Sequence, residues 1–171
     1  MAKQTEDRNE AISQLWKQLD ESRISMLSVR ASDQHPQPMT HYADRESGLI
    51  WFITASDTDL AGAIGDQAEA QLVLMSPDQD YQASIYGQIS CVDDEEKLDE
   101  LWSPFAAAWF EEGRNDPKIR LMKMEPSEAA IWASESNSIL VGLKIMRAGL
   151  SDDHSHPNVG VHHIVEFDKA A

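Results

Sequence analysis

Strand-length apolar segments follow one another along this chain with little more than a turn between them. That spacing limits the fold more than any other feature. Leu49 to Thr54 is a continuous apolar run, the pattern of a strand covered on both faces. Tyr81 to Val92 alternates well enough for one long strand. Residues 24–30, Met39 to Ala43, Ala70 to Met75, Ile119 to Met124, Ala129 to Ala133 and Val161 to Phe167 are strand-like as well. Turns fall at Ser32–Pro38, Ser47-Gly48, Pro77–Asp80 and Glu125-Pro126, and Gly113–Pro117 reads as a loop. Helical spacing is confined to residues 8–20, Asp57 or Thr58 to about Ile64, the stretch from Asp93 through Trp109, and Ser138–Met146 closed by Gly149. Closely consecutive strands with about four helices favour an antiparallel barrel with peripheral helices over a βαβ sheet.

The rest of the chain fits one domain over residues 1–171, with no linker and no internal repeat. Apolar residues make up 42% of it, enough for a core. Fourteen Lys and Arg against thirty Asp and Glu give a formal charge of −16. That charge argues against nucleic acid and anionic membrane as partners, because both affinities rest on basic side chains. The acidity is uneven: from Glu46 to Glu96 there is no Lys or Arg, while eleven Asp or Glu occur. The N-terminus shows no basic region followed by an apolar stretch, and the longest apolar run, Phe105–Phe110, is far shorter than the ~20 residues of a membrane span. A cytoplasmic protein is the expectation. The single cysteine, Cys91, permits no intrachain disulfide and reads as a small packed residue.

No Walker-type loop, GxGxxG, CxxC pair or G-x-S-x-G elbow is present. His154, His156, His162 and His163 fall within ten residues, but their spacing matches no standard closed zinc set. A solvated loop followed by a strand with alternating faces accounts for them, so no metal site is assigned. The run Asp93–Glu96 reads as a solvated helix start favoured by the dipole.

Two stretches together carry a resemblance. The first is Pro38-Met39, then Gly48-Leu49-Ile50-Trp51-Phe52-Ile53-Thr54, then Asp57-Thr58. The second is Leu101-Trp102-Ser103-Pro104, Trp109-Phe110, Asp116-Pro117 and Ala129-Ala130-Ile131-Trp132. The ordered set resembles the general stress protein 26 group of the pyridoxamine 5′-phosphate oxidase-like family, over about residues 10–167. The resemblance implies a mainly β fold, a six-stranded antiparallel split β-barrel that binds FMN, with FAD as the alternative. It also implies a homodimer with the flavin in a cleft at the subunit interface.

The family's Arg-Pro-Met corresponds to Gln37-Pro38-Met39. Its Trp-Phe-x-Thr corresponds to Trp51-Phe52-Ile53-Thr54, where the backbone flanks the flavin ring and the Thr side chain reaches the ligand. Its phosphate-gripping Ser-x-Lys falls on Thr58-Asp59-Leu60. Gln37 therefore stands where arginine is usual and Leu60 where lysine is usual. Hydroxyls of Thr54, Ser56 and Thr58, the Gln37 amide and N–H groups at the start of the helix remain as donors. Asp57 and Asp59 oppose them, and a helix dipole contributes only ~0.3–1 kcal/mol. Charge could come from Arg30, Arg114, Lys118, Arg120 or Lys123, in this chain or its partner. Trp102, Trp109 and Phe110 read as core or dimer contacts, with direct flavin contact the alternative for Trp109. No residue reads as a dedicated acid or base, so no catalytic residue is named. Two functions stand: a flavin-binding stress protein with a flavin-dependent redox role, and a degenerate barrel dimer that has lost flavin.

Overall fold

The computed structural model describes residues 7–30, 32–134 and 160–167. The chain begins with helix α1 (Arg8–Glu21), capped by the Asp7 carboxylate, which accepts from the Glu10 N–H at 2.8 Å. Its buried face is Ala11, Leu15, Trp16 and Leu19, as the spacing predicts. Strands β1 (Ile24–Val29), β2 (Gln37–Thr40), β3 (Tyr42–Asp44) and β4 (Leu49–Ala55) follow. A short helix α2 (Asp59–Ile64) is capped by the Thr58 hydroxyl and leads to β5 (Gln67–Met75) and β6 (Tyr81–Val92). Helices α3 (Glu95–Leu101) and α4 (Pro104–Ala107) and a 3-10 turn at Gly113–Asn115 precede β7 (Ile119–Ser134); β8 (Gly160–Glu166) comes last.

Among the described residues, one antiparallel sheet holds all eight strands, in the order β2-β1-β5-β6-β7-β4-β3, with β8 on β7. The two ends of that path, β2 and β3, are halves of one strand bent at His41. β2 bonds to β1 and β3 to β4, so the bent strand joins the two edges and curls the sheet into a barrel. Counted this way the barrel has the six strands expected, and β8 is a seventh. The expected strand Met39–Ala43 is this bent one.

His41 explains the bend. Its ring is buried, with Nδ1 2.9 Å from the Ser25 hydroxyl and Nε2 2.8 Å from the Leu19 carbonyl. With Nε2–H donating to that carbonyl, Nδ1 accepts from Ser25. One imidazole thus fastens the end of α1 to the start of β1. Burial pushes its pKa down, although the bond to Leu19 and Asp20 nearby act the other way.

The structure corrects the sequence reading at β7. Ile119–Met124 and Ala129–Ala133 are not two strands around a turn but one strand of 16 residues. Pro126 lies where the register with β6 slips, between Tyr86 and Gly87, and a bulge is where a sheet tolerates proline. Gly87 is required there, since a Cβ would run into the Glu125 carbonyl oxygen. β6 borders β7 over residues 121–133. On its other side, β7 bonds β4 over residues 119–124 and β8 over residues 128–134. That change of partner is the split in the barrel.

The helical stretch from Asp93 through Trp109 is also divided. The backbone is extended at Trp102 and Ser103, because the residue before Pro104 disfavours helix, and Ser103 caps α4. The expected helix Ser138–Met146, Gly149, His154 and His156 lie outside the described residues.

Two cores result. Ile50 and Phe52 of β4 enter the barrel interior with Leu27, Leu72, Ile85 and Met122. Trp51, on the opposite face, packs with Leu98 of α3 and Leu121. β4 is thereby covered on both sides, as its unbroken apolar run predicts.

Candidate functional site

The segments that the resemblance marks come together along β4 and its neighbours. Gln37, Pro38 and Met39 lie on β2, opposite Leu27, Met26 and Ser25. Gln37 is half-buried, Pro38 exposed, and Met39 packs against the barrel core. On β4, Phe52 is fully buried in the barrel core; Ile53 is half-buried and belongs to the outer cluster.

Trp51 is buried beside Lys97, whose ammonium lies 5.5 Å from the indole ring centroid. That ammonium also reaches Asp44 at 3.1 Å and Glu100 at 3.0 Å. Burial alone would lower the Lys97 pKa, but hydrogen bonds to the two carboxylates outweigh it and raise it. A cavity of about 360 Å³ opens here, with Tyr42, Trp51, Lys97 and Leu101 in its wall.

The polar part of the site is the junction between β4 and α2. The Thr54 and Thr58 hydroxyl oxygens are 3.4 Å apart. The Thr58 hydroxyl donates to the Ala55 carbonyl at 2.8 Å and accepts from the Ala61 N–H at 3.2 Å. The Ser56 N–H donates to the Lys118 carbonyl at 2.7 Å, tying the junction to the approach of β7. The Lys118 ammonium stands 2.7 Å from the Asp57 carboxylate; hydrogen bonding and charge from Lys118 hold the Asp57 pKa low. Asp59 is exposed, and its carbonyl accepts from the Gln34 amide at 2.8 Å.

Leu60 is 2% exposed and sits in the barrel core with Ile64, so its side chain is not presented at the surface. Trp109 is the opposite case. It is 85% exposed among the described residues, whereas Trp102 and Phe110 meet ring to ring at 5.7 Å. The core-packing reading thus suits Trp102 and Phe110 and not Trp109.

The five basic residues considered for the junction separate clearly. Arg30 pairs with Glu69 at 3.5 Å and lies over Tyr86. Arg114 is held by Glu95 and Asp99, each at 2.6 Å, and Lys123 pairs with Glu125 at 2.9 Å. Lys118 faces Asp57. Arg120 is directly opposite Thr54 in the β4–β7 register. Its guanidinium donates to two carbonyls, Pro117 at 3.1 Å and Ile119 at 2.7 Å.

Sequence reasoning named Arg120 only among five and missed His41 altogether. Neither carries a local signal, since each takes its meaning from a strand distant in sequence. The reading of Cys91 is consistent with its place: it is half-buried, packs against the core, and burial raises its thiol pKa. His162 stacks on Trp132 with ring centroids 5.0 Å apart, while His163 points to the other face of β8.

Comparison with known proteins agrees with this architecture. A candidate general stress protein 26 of Jannaschia sp. CCS1 has 32% identity and a TM-score of 0.77, over 93% of this chain and 99% of that one. The general stress FMN/FAD binding protein of Xanthomonas citri has 34% identity and a TM-score of 0.69, over 75% of this chain and 92% of that one. A candidate general stress family protein of Xanthomonas campestris pv. campestris has 34% identity and a TM-score of 0.69, over 78% and 93%. Curated proteins give no match. The family model described as pyridoxamine 5′-phosphate oxidase like matches residues 10–156. With the split barrel, this match places the chain in the pyridoxamine 5′-phosphate oxidase-like family.

Proposed function

We propose that this protein is a flavin-binding member of its family, that FMN is the flavin, and that the binding segment is β4 with the β4–α2 junction. The observation that carries the reading is the pair of hydroxyls at Thr54 and Thr58, side by side where the resemblance puts the flavin's polar tail. The Xanthomonas citri relative, described as FMN/FAD binding, supports it. The donor set fits a phosphate ester in kind: Thr54 and Ser56 supply hydroxyl hydrogens, Gln37 an amide, and the paired strand basic side chains, while the Thr58 hydroxyl, whose hydrogen goes to the Ala55 carbonyl, caps α2 beside them. Bound flavin would supply redox chemistry, and this chain's residues would hold and orient it.

The site is completed by a second copy of the chain. The outer face of the sheet carries exposed apolar residues in consecutive register rows: Met26 beside Val73, with Ile24, Met75, Trp132 and Ile164 on the same face. An apolar band of this kind marks an interaction surface. Trp109 is proposed as a flavin contact, because its exposure leaves it free to meet a ligand or a partner. Among the described residues no helix is long and apolar enough to cross a membrane.

One observation favours the degenerate barrel instead: Leu60 is buried and Gln37 is uncharged, so neither usual cation is present. The visible spectrum of the purified protein, before and after adding FMN, separates the two readings. A shifted and structured flavin band, with a species of twice the chain mass, is expected. A spectrum equal to free FMN on a 19.1 kDa species contradicts the proposal.

A further inference from the structure

The phosphate of a bound flavin carries nearly two negative charges, and the β4–α2 segment holds no basic residue to meet it. The charge has to come from another part of the fold. Residues directly opposite on antiparallel strands share a face, with Cβ atoms about 4.5–5.5 Å apart. In the β4–β7 register, Thr54 lies opposite Arg120, so the Arg120 side chain starts from the face that carries the Thr54 hydroxyl.

The other four basic residues considered for the junction are engaged. Lys118 cancels Asp57, and Arg30, Arg114 and Lys123 are paired with carboxylates. Arg120 is exposed, and among the described residues no carboxylate lies within ion-pair distance of it. Arg120 also borders a cavity whose lining includes Asp93, Asp94, Glu95 and Asp116, and none of these carboxylates pairs with it. Two backbone carbonyls steady one end of the guanidinium. Since a guanidinium carries five N–H donors and a carbonyl takes one, the remaining donors are left for an anion.

Resting on the flavin reading, we propose that Arg120 replaces the basic side chain absent at position 60 and holds the flavin phosphate, while Lys118 neutralises Asp57 without touching the ligand. The two roles differ in a measurable way. A residue that grips the phosphate distinguishes FMN from riboflavin, and one that only cancels a neighbouring carboxylate affects FMN less.

The test is a fluorescence titration of the whole chain with FMN and, separately, with riboflavin. It compares wild type, Arg120→Gln, Lys118→Gln and Arg30→Gln. Wild type is expected to bind FMN more tightly than riboflavin. Arg120→Gln is expected to weaken FMN by about tenfold to a hundredfold, the range for a charge-assisted hydrogen bond, and to leave riboflavin unchanged. Lys118→Gln should weaken FMN by less, and Arg30→Gln should alter neither. If Arg120→Gln binds FMN as wild type does while flavin binding stands, the assignment of Arg120 is overturned. If wild type binds neither ligand, the flavin reading itself fails and takes this inference with it.

Discussion

β4 and β7 are bonded neighbours with opposite chemistry. β4 and α2 lie in a stretch with no basic residue from Glu46 to Glu96, whereas the first half of β7 and its approach carry Lys118, Arg120 and Lys123. Sequence separates the two by some sixty residues, and the sheet register sets Thr54 against Arg120 and Trp51 against Lys123. Charge missing from one strand is thus available from the next. A binding segment in a barrel has to be read across the sheet as well as along the chain.

The comparison can be attacked first from the β4 side, by restoring the family's lysine. Leu60→Lys puts an ammonium stem in a position that is 2% exposed and packed with Ile64. A loss of ~2–5 kcal/mol in urea unfolding is expected, the range for large core deletions, with burial of charge adding to it. FMN binding should not tighten. A variant that is as stable as wild type and binds FMN better would put the phosphate at residue 60 and remove the need for Arg120.

The second attack is on β7. Gly87 is the residue that lets the chain pass Glu125 and Pro126, where β7 leaves β4 and takes up β8. Gly87→Ala should destabilise by ~1–3 kcal/mol, as overpacking does, and any surviving fold should lose FMN affinity through disturbed β4–β7 pairing. Wild-type stability would show that the bulge can shift without cost.

These two tests mark where the sequence was legible. α1, α2, β4 and β6 follow from local signals: the Leu15–Trp16–Leu19 face, the Thr58 cap, an unbroken apolar run and a long alternation. Pro126 looks like a turn because its neighbours in sequence say nothing of Gly87 across the ladder. Leu60 was read from the sequence only as the position of the family's lysine, and its place in the barrel core beside Ile64 emerged from the fold. Arg120 and His41 were not legible as functional or structural anchors, since their partners Thr54, Ser25 and Leu19 are set by tertiary pairing.

A smaller effect should come from pH, through the bent strand that links the β4 side of the barrel to β1. His41 has a lowered pKa in the fold, against an ordinary value of 6.5. The unfolded chain therefore takes up the proton first. Stability should hold above about pH 6.5 and fall as pH drops from there through the folded-state pKa of His41. The urea midpoint followed between pH 8 and about 5 checks this. His41→Asn should flatten the slope, and a slope unchanged by that substitution would assign it to other groups.

The central claim, that a flavin binds at β4 with its phosphate held by the neighbouring strand, is tested most directly by the salt dependence of wild-type affinity for FMN beside riboflavin. The account predicts FMN binding in the micromolar range at low salt, weakening as salt rises until it approaches riboflavin, whose own affinity barely changes. Equal affinity for both ligands at every salt concentration, or no FMN binding at tens of micromolar in low salt, would contradict it.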